Sequence, residues 1–319
     1  MIFHSFCSIF VNMGYLSYVK SALLLALLII TAPAVVGQTN RALIVAIDKY
    51  PSGSGWAEVH ATNDMELVKP MLMAKGFADQ DIVSLVNEEA TKAGIIVELR
   101  RLTANCQSGD HIYIHFSCHG QQMIDDDGDE PDGLDEAIIP YDARRRLDAG
   151  VYEGENHLRD DELGVHLDAI RRKAGSAGNV VLVVDACHSG TVDRDTDEDV
   201  YVRGTAYIFA TPGYIPSANV GKNVVYEMKI EPGMSPLTII AACLPDQLNY
   251  EYREPNEKKY YGSLTYSLCG LMKECGTMSY GALRDGLKNR LNELNARRNR
   301  TQTPLIETSD EKQEFRIER

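Results

Sequence analysis

The sequence has no pair of cysteines at zinc-site spacing, no apolar run long enough to cross a bilayer, no internal repeat and no surplus of positive charge. Its seven cysteines, Cys7, Cys106, Cys118, Cys187, Cys243, Cys269 and Cys275, never stand two to four residues apart, which sets aside a structural zinc site. A formal net charge of −14 excludes non-specific attraction to nucleic acid or anionic lipid, and favours cationic partners such as metal ions and basic peptides. The apolar run Ser21-Ala-Leu-Leu-Leu-Ala-Leu-Leu-Ile-Ile30 is shorter than the roughly 20 residues a membrane helix needs. Lys20 before it and the small residues of Thr31-Ala-Pro-Ala-Val-Val-Gly37 after it make a signal-peptide pattern.

Residues 1–37 are therefore read as a leader, and the protein as exported, periplasmic or secreted, without membrane contact once the leader is removed. An uncleaved N-terminal anchor is the alternative. The leader takes one Lys from the 32 basic residues and no acid, leaving 31 against 46 acidic residues, net −15. Export permits disulfides, but Cys118 and Cys243 lie in apolar runs and read as buried thiols, so no obligatory disulfide framework is expected. Residues 38–319 suffice for one large domain. Its expected parts are a first half, 38–190, a linker and irregular region, 191–235, and a second half, 236–319. A monomer is expected.

Two stretches organise that domain. Val180-Val-Leu-Val-Val-Asp-Ala-Cys-His-Ser-Gly190 is a short continuous apolar run that stops at a polar turn, the pattern of a central strand buried on both faces. His111-Ile-Tyr-Ile-His-Phe-Ser-Cys-His-Gly120 has the same form. Open α/β sheets present functional groups at the carboxyl edge of such strands. Parallel neighbours would bring Cys187 and His119 to one edge, and a thiol beside an imidazole is the minimal cysteine nucleophile with its base. His188 follows the nucleophile directly, but successive strand residues point to opposite faces, which disfavours it as the base. Asp185, at the inner end of a core strand, is a buried carboxylate in want of a cation or a hydrogen bond to its own turn.

Around these runs strand and helix alternate, which predicts a mostly parallel sheet. Arg41–Asp48 reads as the first strand and 61–75 as a helix that Pro70 should bend or restart. Thr91 is a plausible cap for a helix over 91–102. The acid-rich stretch 125–136 suits calcium in composition but fails the EF-hand template and reads as a solvated loop. Ala137–Asp142 reads as an edge strand, where Pro140 is tolerated. Asp160 or Asp161 reads as a cap for the helix that follows, and Asp64 as an ordinary helix-capping acid. Further strands and helices are expected at 236–245, 262–272 and 280–297, with edge pieces at 304–306 and 314–317.

The stretches Tyr113–Gly120 and Asp185–Gly190 resemble the catalytic His and Cys motifs of metacaspases, relatives of the caspases. The resemblance extends over about residues 41–275 and implies a caspase-like three-layer α/β/α sandwich around a mostly parallel sheet. It implies a calcium-activated cysteine endopeptidase that cleaves peptides and proteins after Arg or Lys. Cys187 would attack, His119 would carry the proton, and the N–H groups of Gly120 and Cys187 would hold the oxyanion. Asp64, Ser117 and Asp185 match positions that line the family's pocket for a basic residue, and a buried acid suits Arg through bidentate contacts. Asp135, Asp160 and Asp161 match calcium ligands, with Asp193, or Asp195 after a one-residue shift, as a fourth. Arg194 and Arg203, in or beside the charged stretch 191–199, are candidate sites of self-cleavage. Ala186 departs mildly from the family pattern. An Asp-specific caspase-type peptidase and a non-catalytic caspase-like interaction module are the alternatives.

Overall fold

The computed structural model describes residues 38–128, 130, 132–188, 200–215, 228–244, 247–296 and 300–317. The leader assigned to 1–37 and two of the candidate site residues, Asp193 and Arg194, lie outside them. In chain order the elements are β1 (Asn40–Ala46), α1 (Met65–Ala74), β2 (Ile82–Val86), α2 (Lys92–Asn105), β3 (His111–Ser117), β4 (Gly120–Ile124), β5 (Leu134–Ile138), β6 (Leu158–Arg159), α3 (Asp160–Ala174), β7 (Asn179–Asp185), β8 (Leu237–Ala241), β9 (Glu251–Arg253), β10 (Tyr260–Gly262), α4 (Ser263–Glu274), α5 (Tyr280–Asn295) and β11 (Leu305–Thr308).

Six strands form the central sheet in the order β11-β8-β7-β3-β1-β2. Pairing is parallel throughout except at the edge, where β11 runs antiparallel to β8. Every residue of β3 and β7 is buried, as expected of strands covered on both faces. Alternation divides them between two cores. Ile112, Ile114, Phe116, Val180, Leu182 and Val184 pack under α2 and α3, with Ile95, Leu99, Leu163 and Leu167. Tyr113, Val181 and Val183 pack on the other face against Val68 and Leu72 of α1, Leu264 and Leu268 of α4, and Leu283 and Leu287 of α5. The result is an α/β/α sandwich with β3 and β7 at its middle, so both candidate catalytic strands end at the same sheet edge.

Thr91 caps α2, its hydroxyl accepting from the Gly94 N–H. Residues Ala61–Asp64 form a 3-10 turn ahead of α1, and the helix runs through Pro70. Asp64 is the N-cap residue, yet its side chain makes no capping hydrogen bond. The cap assigned to Asp160 or Asp161 is also corrected: Arg159 is the N-cap of α3 and both acids lie in the first helical turn. The expected edge strand at 137–142 is instead β5, beginning at Leu134 and ending before Pro140, and it is the middle strand of a separate antiparallel sheet β4-β5-β6. Of the stretch 191–235, residues 200–215 and 228–235 are described, with isolated bridges at Val202, Gly204 and Phe209.

Candidate active site

Parallel pairing sets Ser117 of β3 beside Asp185 of β7. Two residues beyond each lie His119 and Cys187, at neighbouring strand tips. Gly120 follows immediately, and a Cβ there would lie 2.8 Å from both the Cys187 carbonyl oxygen and the His188 ring. Only glycine fits that approach.

The His119 imidazole is buried and stacks on Trp56, with ring centroids 4.9 Å apart. Its Nε2 lies 2.9 Å from the carbonyl oxygen of Ala57. A carbonyl only accepts, so Nε2 carries the proton in this contact. Nδ1 is buried without a hydrogen-bond partner among the described residues. Burial lowers the ring's pKa to about 4, against the opposing pull of the Ala57 carbonyl, so the resting imidazole is neutral and Nδ1 is its basic nitrogen. The Cys187 thiol donates to the Gln247 carbonyl at 2.9 Å. Its backbone N–H donates to the carbonyl of Arg203 at 2.8 Å. His188 lines a small cavity with Glu136 and Asp160, and its carbonyl accepts from the Gln122 N–H.

Beneath the strand tips, Asp64, Ser117 and Asp185 are brought together, all buried. The Ser117 hydroxyl donates to Asp64 at 2.7 Å, and the Gly262 N–H donates to the same carboxylate at 2.8 Å. Asp185 accepts from the Thr265 N–H and hydroxyl at 2.8 and 2.5 Å, and from the Asn249 amide at 2.6 Å. These bonds come from the segment before β9 and from α4, not from the turn beside Asp185. His115 supports the floor, its ring bonded to the Tyr113 hydroxyl on one nitrogen and to Ser117 and Thr265 on the other. Burial lowers its pKa to about 4.

The cation that these acids require is Arg203 of the same chain. Its NH1 lies 2.5 Å from Asp64 and 3.6 Å from Asp185, and its Nε 3.1 Å from Glu251. All four side chains are buried. Burial opposes the charge on Arg203, but the three acids raise its pKa above the ordinary value. Burial likewise pushes Asp64 upward against Arg203, whereas at Glu251 the guanidinium prevails over burial and the carboxyl is lowered. A Cβ on Gly262 would collide with Asp185 and Arg203.

The backbone around Arg203 is equally constrained. Its N–H donates to the Asn249 carbonyl at 3.0 Å, and the Tyr201 carbonyl accepts from the Glu251 N–H at 3.0 Å. Val202 bridges Tyr250 antiparallel, and Gly204 bridges Cys187. Residues 201–204 therefore lie as an extra strand between Cys187 and the segment leading into β9. Arg203 had been expected in or beside a solvated charged stretch; it is a buried ionic centre. Asn249, Glu251 and Thr265 were not singled out from sequence. They lie more than 60 residues from Asp185, and no local spacing marks them.

The acids matched to calcium ligands sit around β5 and the start of α3. Asp135 is buried and pairs with Arg159, which also reaches Asp126 at 3.3 Å. Among the described residues no three His, Cys, Asp or Glu side chains converge as a metal cage. Two observations nevertheless fit a cation: Asp135 Oδ1 and Asp160 Oδ1 are buried without partners. Burial, then Glu136 and Asp161, raise Asp160 to about 8. Burial, then Asp127 and its neighbours, also raise Asp161.

Residues 40–194 match the family model of the metacaspase, peptidase C14 domain. The chain is 28% identical over 275 residues to metacaspase-2 of Arabidopsis thaliana, covering 82% of this chain and 58% of that protein. It is 28% identical over 193 residues to metacaspase-1 of Eremothecium gossypii, covering 58% of this chain and 37% of that one. With metacaspase III c of Phaeodactylum tricornutum the figures are 30% over 165 residues, 50% and 45%. The chain thus spans less than two thirds of each of these relatives. The crystal structure of a Geobacter sulfurreducens protein superposes with a TM-score of 0.56 at 22% identity, over 85% of this chain and 93% of that one, which shows a shared fold.

Proposed function

We propose that this chain, whose residues 40–194 match the model of the metacaspase, peptidase C14 domain, is a cysteine endopeptidase that cleaves after Arg or Lys and processes itself at Arg203–Gly204. One observation carries the reading. Arg203 lies among Asp64, Asp185 and Glu251 while its carbonyl oxygen receives the N–H of the nucleophile. A substrate's last residue before the cut needs both contacts at once: a side chain in the acidic pocket and a carbonyl against an oxyanion donor. The pocket engages two different nitrogens of the guanidinium, so Arg fits it better than Lys, whose ammonium is one point charge.

The chemistry follows from the positions of the groups. Cys187 sulfur adds to the Arg203 carbonyl carbon, and the thiol proton passes to Nδ1 of His119. The negative charge on the carbonyl oxygen is met by the Cys187 N–H, with Gly120 beside it. Collapse breaks the bond to the Gly204 nitrogen, which leaves with the proton from His119. Water then hydrolyses the thioester, and His119 takes its proton. Ala57 fixes the imidazole in the tautomer this requires, a role that a side-chain acid fills in other enzymes.

Calcium belongs to the proposal. Asp135, Asp160 and Asp161, with Asp193 or Asp195 from the stretch outside the described residues, would supply the oxygen ligands that calcium takes. When bound, the ion would supply the positive charge that crowded carboxylates at the start of α3 lack. Export by a leader at 1–37 is also proposed; the N-terminal residue of the secreted protein tests it.

The deciding experiment is a panel of Arg-, Lys- and Asp-ended reporter peptides, with and without calcium, on wild type and Cys187→Ala. Cleavage after Arg and Lys by wild type alone is expected. Preference for Asp would favour the caspase-type alternative, although Arg203 brings one cation to three acids and leaves the pocket negative. Cleavage of no reporter would favour an interaction module.

A further inference from the structure

We infer that the same cleft holds a second specificity pocket, an aromatic cradle built by His60 and Tyr260 that selects an aromatic residue two positions before the cleaved Arg. The inference rests on the reading of residues 201–204 as a bound substrate strand.

In an extended strand, residues two apart share a face. Tyr201 therefore points to the same side as Arg203, and Val202 to the other. The Tyr201 ring meets His60 edge-on, with centroids 4.5 Å apart and planes at 88°. It meets Tyr260 at 4.9 Å and 70°. Both are the edge-to-face geometry that the quadrupoles of aromatic rings favour. The cradle is held from behind: His60 and Tyr260 stack at 4.7 Å and 22°, and the Arg253 guanidinium lies over the Tyr260 ring, 5.7 Å from its centroid.

The cradle is also tied to the Arg pocket. His60 Nδ1 lies 2.6 Å from Glu251 Oε2, while Glu251 Oε1 accepts from the His60 N–H at 2.7 Å and from Arg203 Nε at 3.1 Å. Its Asn63 neighbour anchors the opposite wall, donating to the Tyr260 carbonyl at 2.9 Å. One carboxylate thus fixes the wall of one pocket and the occupant of the other. Val202 bridges Tyr250 across the antiparallel pairing.

The test compares kcat/KM of the full chain, with calcium, on reporters Xaa-Val-Arg in which Xaa is Tyr, Phe, Ala or Glu. Tyr and Phe are expected to exceed Ala by roughly two- to tenfold, the range an aromatic pair contributes beyond its buried area. In Tyr260→Leu that preference should shrink toward unity while the preference for Arg over Asp at the last position persists, which also certifies that the variant is folded. Equal cleavage of Tyr and Ala reporters by wild type, with Arg still required, would overturn the cradle alone. Failure to cleave any Arg-ended reporter would remove the parent reading and the cradle with it.

Discussion

The backbone N–H of Cys187 donates to the carbonyl oxygen of Arg203 at 2.8 Å, so the main chain of the proposed nucleophile and that of the buried arginine are in direct contact. The arginine side chain meanwhile pairs with acids contributed by the turn before α1, by β7 and by β9. On the proposed reading, one residue closes both the chemical and the recognition ends of the cleft.

Arg203→Ala should be costly for the fold and should abolish cutting after residue 203. Removing one partner of a buried ionic cluster typically costs about 3–5 kcal/mol, and here three carboxylates would lose their cation. Thermal melting measures the first effect and mass spectrometry of the purified chain the second. Arg203→Lys should recover part of both.

Gly204→Ala should push residues 201–204 out of the cleft, because a Cβ there would collide with the Cys187 carbonyl. Self-cleavage at 203–204 should fall sharply while separate Arg-ended reporters are cleaved at least as fast as by wild type. The two rates on one preparation check this; slower reporter cleavage would contradict it.

Asp185→Asn should reduce kcat/KM on an Arg-ended reporter by about thirtyfold or more, since loss of one partner of a buried charge pair costs 2–5 kcal/mol or more. Ser117→Ala removes the hydrogen bond to Asp64 and the contact with His115, whose Nε2 keeps Thr265 as a partner, and should cost nearer fivefold, the effect of about 1 kcal/mol.

Buried His115 makes the fold sensitive to acid. Its folded pKa is about 4, below the ordinary 6.5. Between those values the unfolded chain binds a proton that the folded chain does not, so stability falls as pH drops through this window. Relative to His115→Gln, wild type should lose about 3 kcal/mol between pH 6.5 and 4. Denaturant midpoints at the two pH values measure the difference.

Chelation with EDTA should suppress reporter cleavage, and re-added calcium should restore it in wild type but not in Asp160→Asn. Unchanged activity after chelation would end the calcium proposal.

The sheet was legible where the sequence is repetitive in hydrophobicity. β3, β7 and β8 are continuous apolar runs, and Thr91 announces its helix. Asp64, Ser117 and Asp185 were visible through their resemblance to a motif, and the structure brings them together. The small sheet β4-β5-β6 was not legible, because its strands border the acid-rich stretch and carry Gln, Asp and Glu. Asn249, Glu251 and Thr265 were hidden for another reason. Their roles arise from long-range contact with Asp185 and Arg203, which periodicity cannot encode. Arg203 was noticed for its charge, but charge ordinarily signals solvent, and only the convergence of three acids reverses that expectation.

The orientation of His119 by Ala57 has a consequence for how the proposed dyad can be dissected. The orienting atom belongs to the main chain, so no side-chain substitution deletes it, and alanine scanning would make the dyad look self-sufficient. Its contribution becomes measurable only by redirecting the Tyr50–His60 loop, for instance by inserting a residue, or by replacing the peptide linkage with an ester whose weaker carbonyl holds the imidazole less firmly.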